Sequence, residues 1–191
     1  MYRREGTQAV VIGEEVLSKG CMVVSIHRHD DYFWPKSGAE SEGGATGTSI
    51  VNIPLRGTGF GNSDYFRVFE QVVLPLAARL EPDLVIVSAG YECAAGDMIC
   101  HFKVTSEGFC WLTRLALGLA RGASMLVLEG GYDVDGESGH KPLVDGVCSS
   151  IEGLYLGPCT INDLPEGWQE HVKQETEQVI EEVIAALSAS K

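Results

Sequence analysis

Short runs of apolar, often β-branched residues alternate along the chain with longer segments in which apolar positions recur every three or four residues. The short runs predict strands that are buried on both faces, at 22–27, 49–54, 84–89 and 124–129. The longer segments predict amphipathic helices at 64–80, 105–121, 142–155 and 166–189. Because buried strands that alternate with helices are typical of a mainly parallel sheet covered by helices, the sequence predicts an α/β fold.

Polar residues mark the ends of these segments. Ser63 or Asp64 is suited to cap the first helix, and Thr105 or Ser106 the second. The segment 35–48 is rich in small and polar residues and predicts a surface loop. The last helix has an acidic face, so we expect it to pack on the domain, with a partner-binding helix as the alternative.

Composition excludes several classes of protein. Apolar residues make up 45% of the 191 residues, enough for a core. The 27 acidic and 14 basic residues give a net charge of −13, which disfavours direct binding to nucleic acid or anionic membranes. No apolar run is long enough to span a bilayer and no secretion signal is visible, so we expect an intracellular protein, nuclear or cytoplasmic. The six cysteines form no Cys-x-x-Cys pair, which predicts reduced, mostly buried thiols.

Candidate chemistry gathers where predicted strands end. His27 and His29 flank the end of the first strand, Glu92 follows the third, and Gly130-Gly131-Tyr132 follows the fourth. Ligands of open α/β sheets bind at the carboxyl ends of the strands. The histidines therefore indicate either a metal or catalytic site or a hydrogen-bonded loop. Glu92 and the Gly-Gly-Tyr segment indicate either one shared site or two simple strand-to-helix turns.

An ordered series of motifs resembles the zinc-dependent histone deacetylase family. The motifs are Val24-Ser25-Ile26-His27-Arg28, Phe33-Trp34-Pro35, Val51-Asn52-Ile53-Pro54-Leu55, Pro82-Asp83-Leu84-Val85, Val87-Ser88-Ala89-Gly90-Tyr91, Gly96-Asp97 and Leu128-Glu129-Gly130-Gly131-Tyr132. The last motif is more similar to the class II and acetylpolyamine-hydrolase branches than to class I. The resemblance covers about residues 6–157 and corresponds to the carboxyl-terminal half of the family's catalytic domain.

The resemblance implies a three-layer arginase/deacetylase-like α/β fold, with a mainly parallel sheet between helices and incomplete at its amino-terminal side. It implies a partial deacetylase-like domain over residues 1–157 and a helical extension over 158–191 that packs on the same domain. The implied substrates are proteins with acetylated lysine, or small acetylated amides.

Each implied site residue occupies a position that matches a family motif. In the family, two Asp and one His hold Zn²⁺, a His pair moves protons, and a Tyr donates to the developing oxyanion. The resemblance implies that Tyr132 is that catalytic donor and that Glu92 stands where the later zinc-binding Asp belongs. It further implies substrate-binding positions at Trp34, Ile99, Gly130 and Gly131, and a structural potassium site at Ser25, through its hydroxyl, and Ile26, through its carbonyl.

Departures from the family pattern bear on activity. The family carries Asp-x-His-His-Gly-Asn where this sequence reads Met1-Tyr2-Arg3-Arg4-Glu5, so two zinc ligands have no counterpart, and the His pair lies further upstream in the family. The third ligand position is Glu92 instead of Asp. Its extra methylene displaces the carboxylate by about 1.5 Å, whereas metal–ligand distances tolerate about 0.2 Å. We therefore expect no deacetylation by this polypeptide alone.

Two alternatives remain open from the sequence. One is a non-catalytic interaction module, or a half-domain that assembles with a second copy or another partner through an exposed sheet edge. The other is a surviving hydrolase with a rebuilt metal site. The residues available to that rebuilt site are His27, His29, Asp30, Asp31 and Glu92.

Overall fold

The computed structural model describes residues 20–31, 33, 35–40, 49–132 and 141–189. Parallel strand pairs and helices alternate along the chain, as the sequence predicts. The strands are β1 (Met22–Arg28), β2 (Ser49–Leu55), β3 (Leu84–Ala89) and β4 (Ala123–Leu128). The α-helices are α1 (Asn62–Val68), α2 (Leu74–Leu80), α3 (Ser106–Leu117), α4 (Lys141–Leu156) and α5 (Gln174–Ala189). A π-helical segment, Phe69–Val73, joins α1 to α2, and short 3₁₀ helices occupy Ile161–Asp163 and Trp168–His171.

The chain divides into two compact units, which we describe separately. The first comprises the described parts of Met1–Arg56 together with Val68–Leu80 and Gln174–Lys191. The second comprises Gly57–Arg67 and Glu81–Lys173.

In the first unit, β1 and β2 form a parallel pair, and α5 packs on β2. Burial of the apolar side chains of β2 against one stripe of α5 forms the core of this unit. The buried side chains are Val51, Ile53, Leu55, Val179, Ile180, Val183 and Leu187. At its rim, Arg56 donates to both Glu40 and Glu182, each at 2.7 Å.

In the second unit, β3 and β4 form a parallel pair in register from Leu84↔Ala123 to Ala89↔Leu128. The connection between them is α3, and α4 packs on α3. Close approach of these two helices requires small residues, because a Cβ on Gly153 would lie 2.7 Å from the carbonyl oxygen of Cys110. Two aromatic side chains, Phe60 and Phe102, form the centre of a second buried cluster, with ring centroids 5.2 Å apart.

Three predicted helix boundaries are wrong. The helix predicted at 64–80 begins at Asn62 and contains the π segment Phe69–Val73, which ends two residues before Pro75. Proline lacks an N–H and crowds the carbonyl one turn back, so the helix widens there. The helix predicted at 105–121 ends at Leu117, where the N–H of Gly118 donates to the carbonyl of Leu115 at 3.1 Å and so closes the last turn.

The tail helix begins at Gln174 and not at 166. Gly167 has a φ of 78°, outside the helical region, and Trp168 is buried against Phe66 in the second unit with ring centroids 5.8 Å apart. Burial of this indole favours a 3₁₀ turn over an early start of the helix. Among the described residues, no helix is both long and apolar enough to cross a membrane.

Candidate active site

The carboxyl ends of β3 and β4 lie side by side in the second unit. Ala89 pairs with Leu128, and the N–H of Glu129 donates to the carbonyl of Ala89 at 3.0 Å. This last ladder bond brings the chain after β3 next to the glycines after β4. Gly130 and Gly131 have φ values of 87° and 108°, a backbone region that favours glycine.

The carboxylate of Glu92 lies against these glycines. A Cβ on Gly90 would stand 2.7 Å from Glu92 Oε2, and one on Gly130 would collide with Oε1 and lie 2.8 Å from Cδ. Gly130 is therefore required both by its backbone conformation and by the space that the carboxylate fills. The structure thus brings together Glu92 and the Gly-Gly-Tyr segment, which the sequence left open as one shared site or two separate turns.

Tyr132 follows the double glycine and is 53% exposed. Its phenol is therefore accessible to a molecule from solvent. Ile99 lies on the loop after β3 and is also exposed. That loop is anchored by the buried Asp97, whose Oδ1 accepts from the N–H groups of Ile99 at 2.8 Å and Cys100 at 3.1 Å. Trp34 lies outside the described residues.

Tyr91 is a supporting residue that the sequence analysis did not single out. It is buried; its hydroxyl donates to Ser150 Oγ at 3.0 Å, and its ring centroid lies 4.9 Å from that of Phe109. Burial raises the pKa of the Tyr91 hydroxyl. A Cβ on Gly131 would lie 2.9 Å from Tyr91 Cβ, so the Tyr91 side chain packs directly against the second glycine. Tyr91 belongs to the motif Val87-Ser88-Ala89-Gly90-Tyr91, but the sequence does not indicate its contact with Ser150, 59 residues away.

Cys93, next to Glu92, is a structural thiol. Its Sγ lies 3.6 Å from the carbonyl oxygen of Gly90 and accepts a hydrogen bond from the buried Tyr65 hydroxyl. Burial raises the pKa of the Cys93 thiol to about 11. Because the thiolate is the form that attacks electrophiles, the raised pKa disfavours Cys93 as a nucleophile at neutral pH.

In the first unit, the end of β1 carries the histidines and the predicted potassium ligands. His27 Nε2 lies 2.9 Å from the carbonyl oxygen of Gly38, and its Nδ1 lies 2.9 Å from Ser25 Oγ. A carbonyl only accepts, so Nε2 carries the proton, and in the neutral ring Nδ1 accepts from the Ser25 hydroxyl. A Cβ on Gly38 would lie 2.6 Å from Nε2, so this contact is tight.

Two of the side chains available to the rebuilt metal site, His27 and Asp30, already have protein partners. Both ring nitrogens of His27 already lie at hydrogen-bond distance from protein oxygens, and Asp30 accepts from Arg28 Nε at 2.7 Å. Within the described parts of the chain, no group of three or more His, Cys, Asp or Glu side chains is arranged to hold a metal ion. The described residues therefore do not fit a catalytic zinc, which normally has three protein ligands.

Comparison with known proteins identifies relatives over most of the chain. Residues 5–141 match the family described as Histone deacetylase domain. The chain is 34% identical to Histone deacetylase 15 of Arabidopsis thaliana over 151 residues, which cover 78% of this chain and 26% of the relative. It is 41% identical to Histone deacetylase clr3 of Schizosaccharomyces pombe over 119 residues, which cover 60% of this chain and 17% of the relative. It is 38% identical to human Polyamine deacetylase HDAC10 over 139 residues, which cover 70% of this chain and 20% of the relative.

Solved structures show the same relation. The crystal structure of the HDA15 HD domain superposes with a TM-score of 0.72 and 30% identity over 86% of this chain and 43% of that chain. The structure of the histone deacetylase Clr3 superposes with a TM-score of 0.72 and 31% identity over 86% of this chain and 27% of that chain. The chain thus spans about a quarter or less of the length of these three curated relatives, and under half of the HDA15 domain.

Proposed function

The chain belongs to the histone deacetylase family, and it has the arginase/deacetylase fold in part. On that premise we propose that it forms one wall of a deacetylase site and does not by itself hydrolyse acetylated amines. The wall consists of Glu92, Gly130, Gly131 and Tyr132 at the adjoining ends of β3 and β4. The observation that carries the proposal is the single carboxylate of Glu92 against Gly130, two residues before the exposed phenol.

Tyr132 is the proposed catalytic donor. A phenol beside an acyl carbonyl donates a hydrogen bond that strengthens as the oxygen becomes negative, and one such donor contributes about 10²–10³ in rate. Amide hydrolysis needs far more than this, so the donor assists a reaction that an activated water must begin. Among the described residues, no group of three or more His, Cys, Asp or Glu side chains could hold a metal ion that would activate this water.

Zinc binding is a property of the family, and we do not expect Glu92, Gly130, Gly131 and Tyr132 to bind the ion by themselves. When bound, the ion supplies an activated water and polarises the carbonyl. Glu92 is the one residue of this wall at a family ligand position, and two further ligands would have to come from elsewhere. We therefore propose that a catalytic metal site forms only when other residues complete it.

Ser25 and Ile26 are the proposed holders of a structural potassium ion at the end of β1. The Ser25 hydroxyl proton is directed to His27 Nδ1, which leaves the oxygen lone pairs to face a cation. Potassium would not take part in the reaction. Its proposed role is to fix the end of the strand.

The proposed substrates are amines that carry an acetyl group. Histone deacetylases and a polyamine deacetylase are both among the relatives, so acetyl-lysine in a protein and an acetylated polyamine are the two candidates. Ile99 and Trp34 are proposed to line the acyl-amine channel, by resemblance. Ile99 is exposed on the loop that Asp97 anchors, in the same unit as Glu92.

We propose a domain organisation with a deacetylase-like part at 1–157 and an extension at 158–191. The family match ends at residue 141. Both parts of the extension contact the rest of the chain within their own unit, because Trp168 packs on Phe66 and α5 packs on β2.

A second candidate function is a non-catalytic half-domain that assembles with a partner. One specific observation favours it: β3 and β4 present an apolar face to solvent. This function is compatible with the first, because a wall without its opposite side needs a partner before it can do chemistry.

A hydrolysis assay tests the proposed function. Purified full-length chain is incubated with an acetyl-lysine peptide and with an acetylated polyamine, with and without added zinc, and free amine is measured. We expect no turnover above buffer for either substrate. Turnover that a hydroxamate inhibitor abolishes and that Tyr132→Phe reduces about a hundredfold would overturn the proposal.

A further inference from the structure

A small pocket in the second unit has positively charged side chains around a glycine-rich turn. Its volume is about 240 Å³. This is below the range of about 300–1,000 Å³ typical of drug-sized ligands, so the pocket fits a small ligand. The lining residues that matter for its chemistry are Gly59, Ser63, Asp64, Lys103, His171 and Lys173, all in the second unit. We call it the lysine pocket.

Two lysine side chains meet at Gly59. A Cβ at this position would stand 3.3 Å from Lys173 Nζ and 3.9 Å from Lys103 Nζ, so both ammonium groups lie within 4 Å of one point. Gly59 has a φ of 76°, a backbone region that favours glycine, and it leaves the space beside the two ammonium groups open. Like charges this close repel each other, so an anion bound between them would stabilise both.

The ammonium of Lys173 is held in place by the protein itself. It donates to the carbonyl of Thr58 at 2.8 Å and lies 4.6 Å from the centroid of the Phe60 ring, a cation–π contact. An ammonium has three N–H donors, so further donors remain for a ligand. Because the side chain is already fixed, it loses less conformational entropy when a ligand binds.

Lys103 and His171 supply donors that are not used within the protein. The backbone N–H of Lys103 donates to the carbonyl of Phe60 at 2.6 Å, which fixes this residue beside the turn. Among the described residues, neither the ammonium of Lys103 nor the imidazole of His171 makes a hydrogen bond or an ion pair. Both groups are therefore free to bind a ligand, although the chain has 27 acidic and only 14 basic residues.

Asp64 also lines the lysine pocket, but its carboxylate serves the structure of the turn. The side chain is buried, and its oxygens accept from the N–H of Gly61 at 2.8 Å and from the N–H of Lys173 at 2.9 Å. Two ammonium groups therefore face one carboxylate that is already hydrogen-bonded. Acidic residues further away are screened beyond about 8 Å at physiological ionic strength. The local charge of the pocket thus favours an anion over a cation.

We propose that the lysine pocket binds a phosphate dianion, as inorganic phosphate or as the phosphate group of a small monoester. A phosphate monoester has a charge of about −1.5 to −2 at neutral pH and three acceptor oxygens, so it can accept from both ammonium groups at once. The Ser63 hydroxyl and the His171 ring are further donors. A carboxylate carries a single charge and neutralises only one lysine. This binding does not depend on the proposed deacetylase function.

Two donors of the lysine pocket lie outside the family match. That match covers residues 5–141, whereas His171 and Lys173 follow it. The segment before them is anchored by the buried Trp168, whose ring lies 5.5 Å from the Arg67 guanidinium. The pocket is therefore built partly by the extension, which gains a binding role besides packing.

A titration followed by nuclear magnetic resonance tests the proposal. The full-length chain is isotope-labelled and placed in phosphate-free chloride buffer of constant ionic strength. It is titrated with O-phosphoserine, inorganic phosphate or acetate while the backbone amide shifts are recorded. The test variants are Lys103→Gln and the double variant with Lys173→Gln. The matched control is Lys141→Gln, which removes an exposed lysine that pairs with Asp145 on α4.

We expect phosphoserine to bind saturably with a dissociation constant below about 1 mM and to shift the amides of Gly59, Gly61 and Lys103. Lys103→Gln should weaken this binding at least about tenfold, because it removes one charge-assisted hydrogen bond, and the double variant should weaken it further. The control should bind as the unchanged chain does. Acetate should bind at least about tenfold more weakly than phosphoserine.

Absence of saturable binding by both phosphate compounds would overturn the proposal. Equal weakening in Lys103→Gln and Lys141→Gln, or acetate binding as tight as that of phosphoserine, would overturn it as well. Tighter binding of phosphoserine than of inorganic phosphate supports the proposal and identifies a monoester, whereas equal binding supports it and identifies the free ion. Lys103 is exposed, so amide shifts away from the pocket should show that its variant folds normally.

Discussion

At the scale of single residues, the candidate site depends on the contact between Glu92 and Gly130. The carboxylate fills the space that any side chain at position 130 would need, and the backbone there has a positive φ of 87°. Two independent physical reasons therefore require glycine at one position. Their contributions are separable by experiment.

Gly130→Ala should destabilise the chain by about 3 kcal/mol, from a strained backbone and a collision with Glu92. Gly157→Ala is the matched control, since Gly157 has a φ of 79° and open space around its Cβ position. It should cost about 1 kcal/mol, the backbone contribution alone. The free energy of unfolding in urea measures both.

Adding Glu92→Ala to Gly130→Ala should remove the collision and bring the double variant to within about 1 kcal/mol of the control. If the double variant is no more stable than Gly130→Ala alone, the carboxylate does not lie against Gly130 and the described wall is wrong.

The Cys93 thiol makes stability depend on pH in the alkaline range. Its pKa is raised to about 11 in the folded state, above its unfolded value, so the folded chain retains a proton that the unfolded chain releases. Its contribution to stability is therefore complete below about pH 8.5 and is lost as pH rises towards 11. We expect the free energy of unfolding to fall by about 2–3 kcal/mol over this range through this thiol.

The comparison with Cys93→Ala isolates that contribution, because other groups also titrate there. The slope of unfolding free energy against pH should be smaller in the variant. Identical slopes in the two proteins would show that Cys93 is not buried as described.

At the scale of elements, the start of α3 is held by an exchange of hydrogen bonds with Asn62. The Thr105 hydroxyl accepts from the N–H of Gly108 at 3.1 Å and from Asn62 Nδ2 at 2.8 Å, and the N–H of Thr105 donates to Asn62 Oδ1 at 2.9 Å. This N-cap links α3 to the start of α1 within the second unit.

Thr105→Ala should destabilise the chain by about 1–2 kcal/mol, because it removes the cap and leaves the Asn62 amide without its partner hydroxyl. Thr105→Ser keeps the oxygen and should cost less than about 0.5 kcal/mol. Urea unfolding of the two variants measures the difference. Equal losses would mean that the methyl group and not the cap matters here.

The elements also show what a sequence pattern can and cannot predict. The strand at 84–89 was predicted with its observed bounds, because a short apolar run between Asp83 and Gly90 has two clear ends. The π segment before Pro75 and the late start of α5 were not predicted. Both depend on how the chain relieves a local conflict or buries Trp168, which apolar spacing does not encode.

The same limit holds for the site. That Glu92 and Gly130 lie close follows from strand ends that meet at one edge of a parallel pair, so sequence could suggest it. That Tyr91 supports the double glycine depends on contacts with Phe109 and Ser150 on later helices. Packing between distant segments determines such contacts, and no motif indicates them.

At the scale of the whole molecule, the candidate site and the exposed apolar side chains of β3 and β4 lead to one interpretation. The chain belongs to the deacetylase family, spans less than half of the solved HDA15 domain, and exposes an apolar face on the strands that carry its site residues. Each unit retains a core of its own, because β2 and α5 bury apolar side chains in the first unit and α3 buries Phe109, Leu115 and Ala116 in the second. We propose that the chemistry of the chain depends on residues beyond the described wall of Glu92, Gly130, Gly131 and Tyr132.

The central claim is that this polypeptide does not bind a catalytic metal ion on its own. Its metal content tests that claim most directly. The full-length chain is purified without chelator, dialysed against zinc-containing and then zinc-free buffer, and analysed by mass spectrometry for bound metal. We predict that no stoichiometric zinc is retained and that Glu92→Ala leaves the metal content unchanged. One zinc ion per chain, lost on Glu92→Ala, would contradict the account.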